Sequence, residues 1–77
     1  MPATVAFTLD LRGPTLPLTV TRTAVTMTKL RSGELIEVLT SDPDEAQDLS
    51  VWARATRNRL LQQTKDDGLY RFVLEKR

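Results

Sequence analysis

Several groups of residues in this chain have types and spacings that could do chemistry. Asp10 and Arg12 stand either side of Leu11, just ahead of a Gly13-Pro14 break. Thr15 and Thr19 bracket Leu16-Pro17-Leu18 where a helical pattern opens. Asp42, Asp44, Glu45 and Asp48 crowd residues 42–48, and Arg54, Arg57 and Arg59 form a cationic cluster. A threonine hydroxyl at 15 or 19 could attack an electrophile only with a base beside it. The chain has no histidine and no evident lysine pairing, so capping of a helix is the better account of Thr15. The four acids could imitate a metal site, but they lack the glycine and the distal glutamate of a calcium loop. They fall in the first two turns of an expected helix, where negative charge is favoured in any case. Arg12 could meet an anion at a helix N-terminus; pairing with an acidic neighbour is the preferred reading. The three arginines suit the negative end of a helix. As an RNA-contacting patch they have only Trp52 nearby for stacking, which supports that alternative weakly.

Composition removes more chemistry than these groups supply. With no cysteine among 77 residues, the chain can form no disulfide, thiolate metal site, persulfide or thiol nucleophile. Without histidine it also lacks the commonest general base and metal ligand. Eleven Lys/Arg against ten Asp/Glu leave a net charge of +1, which predicts no strong nucleic-acid footprint. The opening Met-Pro-Ala-Thr has neither a basic region nor an apolar stretch after it, and nowhere do about 18 apolar residues run together. The expectation is one cytoplasmic domain over residues 1–77, with no membrane segment, no cofactor and no metal. A chain of this size buries only about 60% of the surface its unfolded form exposes, so its core must be compact.

The elements that must position these groups follow from hydrophobic period. Thr4 to Asp10 alternates, with Val5, Phe7 and Leu9 on one side, as a half-buried strand does. Val20, Ala24, Met27 and Leu30 recur at helical spacing, with Thr15 as N-cap and Pro17 in the first turn. Six of the fourteen residues in 15–28 are threonine, so this helix rests on period rather than propensity. Arg31-Ser32-Gly33 closes it. Leu35 to Thr40 carries apolar residues on both faces, the mark of a central strand; Leu35 and Leu39 hint at an interaction surface on the face away from the helices. Asp42-Pro43-Asp44-Glu45 reads as cap, first-turn proline and capping box. The second helix then runs to about Arg57, burying Ala46, Leu49, Trp52 or Ala53, and Thr56. Asn58 marks its end. Arg59 to Lys65 and Leu69 to Lys76 form a hairpin across Asp66-Asp67-Gly68, with Tyr70, Phe72 and Leu74 on one face. The order β-α-β-α-β-β predicts an α/β (α+β) two-layer sandwich, a four-stranded mixed sheet with two helices on one face.

That order, carried on Leu9-Asp10-Leu11-Arg12-Gly13, Gly33-Glu34-Leu35, Ser41-Asp42-Pro43, Asp48-Leu49 with Trp52-Ala53, and Asp67-Gly68-Leu69-Tyr70-Arg71-Phe72, resembles the TusA/SirA family of small sulfur-relay proteins. The resemblance covers nearly the whole chain without a gap. It departs at the family's functional motif. Two residues beyond Gly13, where the family carries Cys-Pro-x-Pro at the start of the first helix, stands Leu16-Pro17-Leu18-Thr19. The resemblance implies a cysteine that accepts a persulfide sulfur and passes it on, as in sulfur-relay and tRNA-thiolation pathways. A helix N-terminus favours a thiolate or perthiolate there, yet a leucine side chain can form neither.

The expectation for function is therefore a non-catalytic binding or regulatory member acting on another protein of a sulfur-transfer pathway. Arg12, Gly13, Thr15, Leu16, Pro17 and Thr19 are its candidate contact residues, and Leu16 is either a recruited apolar contact or a side chain that packs beside the first helix. The alternatives are noncovalent handling of a small anion at the first helix N-terminus, or an RNA-binding module using Arg54, Arg57 and Arg59.

Overall fold

A computed structural model of the chain describes residues 5–12 and 18–77. The elements are β1 (Val5–Asp10), α1 (Thr19–Met27), β2 (Leu35–Thr40), α2 (Pro43–Ala55), β3 (Arg59–Asp66) and β4 (Leu69–Glu75). They build a four-stranded sheet in the order β1-β2-β4-β3. β1 and β2 run parallel through the α1 crossover, and the other two pairings are antiparallel. The expected mixed sheet with its β-α-β-α-β-β order is what forms, and β2 is central as its two-sided apolar pattern requires.

The core lies between the sheet and the helices. Ile36 and Val38 of β2 stand opposite Leu74 and Phe72 of β4, and all four are fully buried. Against them pack Met27 and Leu30 from α1 and its exit turn, and Ala46, Leu49 and Ala53 from α2. Full burial of a side chain the size of leucine or phenylalanine contributes about 1.5–3 kcal/mol, so this cluster carries most of the fold. The hairpin turn is Asp67-Gly68, with φ of 50° and 78°. Two consecutive positive φ values are the signature of a type I′ turn, whose twist matches that of the flanking strands.

Several details differ from the sequence expectation. The alternation in β1 is broken by a bulge between Val5 and Phe7, so Val5 pairs with Leu35 while Phe7 and Leu9 pair with Ile36 and Val38. As an edge strand with only Leu9 half-buried, β1 is more exposed than half-buried. In α1 the fully buried residues are Thr19, Thr23 and Met27, while Val20 and Ala24 are only partly covered. The helix thus turns two threonines inward. It begins at Thr19 with Leu18 at the cap position and no side-chain cap; the cap expected at Thr15 and the first-turn Pro17 lie outside the described residues.

The second helix ends at Ala55, and Thr56 is exposed rather than buried. Its hydroxyl donates to the carbonyl of Trp52 at 2.9 Å. Arg57 then takes the left-handed conformation at φ 61°, a helix-ending position more often filled by glycine. At the other end Asp42 caps as expected, its carboxylate accepting the N–H of Asp44 at 2.8 Å and of Glu45 at 3.4 Å. The reciprocal half of the capping box does not form, because the N–H of Asp42 donates to the Thr40 hydroxyl at 3.2 Å. On the face away from the helices Leu35 is buried and Leu39 half-buried, so this pair offers little apolar surface for a partner. A polar line crosses all four strands there instead. The Thr8 hydroxyl donates to Glu37 at 3.1 Å, Glu37 pairs with Arg71, and Arg71 donates to Gln62 at 2.9 Å.

Candidate functional site

Asp10 and Arg12 sit where β1 leaves the sheet. Leu11 between them is buried, and its N–H extends the ladder to the Leu39 carbonyl at 2.8 Å. That anchor turns both charged side chains outward, where the Arg12 guanidinium grips Asp10 with Nε at 2.7 Å and Nη2 at 2.5 Å. The backbone N–H of Arg12 adds a third donor at 3.2 Å. These hydrogen bonds from the Arg12 side chain, then from its backbone, hold the Asp10 carboxyl down at about 2. The same contact pushes the Arg12 guanidinium pKa up. Arg12 is therefore committed to its acidic neighbour through two of its nitrogens. Gly13, Thr15, Leu16 and Pro17 lie outside the described residues.

Thr19 opens α1 and is fully buried, with its hydroxyl unpartnered among the described residues, as is that of Thr23 one turn on. Its backbone N–H faces Glu45 in the first turn of α2 and stabilises the carboxylate there. Desolvation is the stronger effect and is joined by repulsion from Asp42 and Asp48, so the Glu45 pKa is raised overall. Sequence reasoning assigned Glu45 to its own helix and missed the contact with α1. The signal was present: threonine at 19 supplies an N–H that a proline at that place would lack. Among the described residues, no group of three carboxylates converges as metal ligands would.

The three arginines stand on three different elements, α2, the turn after it and β3. Arg59 pairs with Glu75 across the hairpin at 3.3 Å. Arg54 stands in the last turn of α2 and lines a groove against β3. Arg57 occupies the left-handed turn beyond that helix.

The sequence pattern of the family described as Sulfurtransferase TusA matches residues 7–76. Among curated proteins, a putative sulfur carrier protein of Aquifex aeolicus is 41% identical over 79% of this chain, which spans 31% of that longer protein. The putative sulfur carrier protein YrkI of Bacillus subtilis is 32% identical over 88% of this chain and 91% of its own length. The sulfur carrier protein TusA of Allochromatium vinosum is 29% identical over 88% and 90%. Among solved structures, a SirA-like protein of Desulfitobacterium hafniense superposes with a TM-score of 0.76, covering 90% of this chain and 95% of that one at 22% identity. That likeness is one of fold.

Proposed function

This chain belongs to the TusA sulfurtransferase family, and from that membership we propose a binding role: it engages proteins of a sulfur-transfer relay without itself carrying sulfur. The observation that supports the role most is a sequence with no cysteine at all, with Leu16-Pro17 standing where the resemblance places the family's Cys-Pro. Persulfide transfer needs a thiolate to attack and to leave, and this chain supplies none. What remains of the family's equipment is shape: the sheet, the α1 crossover, and the Asp10-Leu11-Arg12 segment leading into the altered motif. A member of this kind acts by occupying or arranging relay partners as a scaffold, regulator or decoy, and its place of work is proposed to be the cytoplasm.

Both alternatives have less support. A small anion at the start of α1 would compete with the Glu45 carboxylate already facing the Thr19 N–H. An RNA surface built on Arg54, Arg57 and Arg59 would have to compete with Glu75 for Arg59. The test is affinity capture with the immobilised chain and its Leu16→Cys variant against a cysteine desulfurase and a rhodanese, followed by sulfur labelling. Both forms should retain the same relay protein, and only Leu16→Cys should gain sulfur. Retention by the variant alone would mean that the leucine has abolished recognition as well as chemistry.

A further inference from the structure

Between α2 and the edge strand β3 runs a groove of about 210 Å³, lined by Gln47, Ser50, Val51, Arg54 and Gln63. Gln47, Ser50, Val51 and Arg54 follow one another at helical steps of three, one and three, which puts them on one face of α2. Gln63 pairs with the core residue Phe72 and so shares the sheet face that α2 covers; the Ser50 hydroxyl approaches its side-chain oxygen at 3.5 Å. The lining therefore offers two amide groups, a hydroxyl and a guanidinium, with no carboxylate among them. Among the described residues the Arg54 side chain enters no ion pair or hydrogen bond, unlike Arg12, Arg59 and Arg71. Convergent donors around one unpaired guanidinium recognise a carboxylate, which arginine grips through two nitrogens.

The space fits one acidic side chain, and the groove is open to solvent. An isolated contact of that exposure is worth little alone. It gains force beside a second feature. β3 is the last strand of the sheet, so its outer N–H and C=O groups face no neighbouring strand among the described residues. Beyond the bulge between Leu60 and Gln62, it pairs regularly with β4 from Gln62 to Asp66, leaving a straight edge beside the groove. A segment added to that edge would send alternate side chains toward α2.

We propose that the α2–β3 groove and the free edge of β3 form a docking site for an extended acidic segment of a partner protein, which adds a strand to β3 and seats a carboxylate on Arg54. The site shares no residue with the α1 motif and does not depend on the partner being a sulfur-transfer protein. The probe is a synthetic peptide of about eight residues alternating glutamate and valine, titrated into the full isotope-labelled chain by NMR. Shifts should gather on the β3 amides and on the side-chain amides of Gln47 and Gln63. Replacing the peptide's glutamates by glutamine, or introducing Arg54→Gln, should each weaken binding by about fivefold. Arg54 is exposed, so the variant should keep the melting temperature of the parent chain. Absence of these shifts, or equal binding of the glutamine peptide, would overturn the proposal. So would inorganic phosphate or a short oligouridylate reproducing the shifts where the peptide does not, since that would make the groove a small-anion or RNA site.

Discussion

The buried threonines of α1 turn a composition oddity into an energetic statement. Thr19 and Thr23 place hydroxyls where no described residue can accept or donate, and an unsatisfied buried polar group costs about 1–3 kcal/mol. Valine has the same shape without the hydroxyl, so Thr23→Val should raise stability by about 1 kcal/mol in urea unfolding with an unchanged m-value. Two carboxyl groups give opposite pH signatures. The folded-state pKa of Asp10 is depressed from 3.8 to about 2, so its stabilising contribution is present above pH 3.8 and is lost as pH falls toward 2. Arg12→Gln should remove that loss, visible as a flatter melting profile across this window. Glu45 is raised above its usual 4.5, so the folded state holds its proton more tightly and stability falls as pH rises through the folded value. Glu45→Gln, which keeps an oxygen to accept from Thr19, should melt higher than the parent at neutral pH and equal to it below pH 4.5. A lower melting temperature at pH 7 would show that the contact with α1 outweighs the burial and repulsion.

At the scale of elements, the sequence was most informative where one local rule acts alone. Asp42-Pro43 announced the start of α2 because a carboxylate cap and a fixed φ act within one turn, and Asp67-Gly68 announced the hairpin because only such residues accept two positive φ values cheaply. Both can be tested. Asp42→Ala should cost about 1 kcal/mol through the two lost amide bonds. Gly68→Ala meets no neighbouring atom within 4 Å, so its cost is backbone strain alone, about 1 kcal/mol; equilibrium unfolding measures both. What sequence could not show was the outcome of competition between elements. The bulge in β1 is a matter of its register on β2, and the inward face of α1 depends on what α2 and the sheet offer it. The reciprocal capping bond lost to Thr40 because that hydroxyl, two residues back at the end of β2, takes the Asp42 N–H. α1 itself, a helix of nine residues, is too short to persist alone. It is held by packing and by Lys76, whose Nζ donates to the Met27 carbonyl at 2.9 Å.

For the molecule as a whole, the family frame was legible because its motifs lie in order along nearly the whole chain, and the sheet order and helix placement follow from that frame. Of the candidate site, the Arg12–Asp10 pair was readable from nearness in sequence, whereas the pairing of Arg59 with Glu75 was not, since it depends on how β3 registers on β4. The central claim is the proposal that this family member, with no cysteine in its sequence, engages relay proteins without carrying sulfur. It is tested most directly by adding this chain to a reconstituted relay of a cysteine desulfurase, labelled cysteine and a cysteine-bearing TusA carrier from the same organism. The account predicts that sulfur loading of the carrier changes saturably with added chain, typically by slowing, while no label appears on the chain itself. A loading rate that stays constant at a large excess of the chain would contradict it.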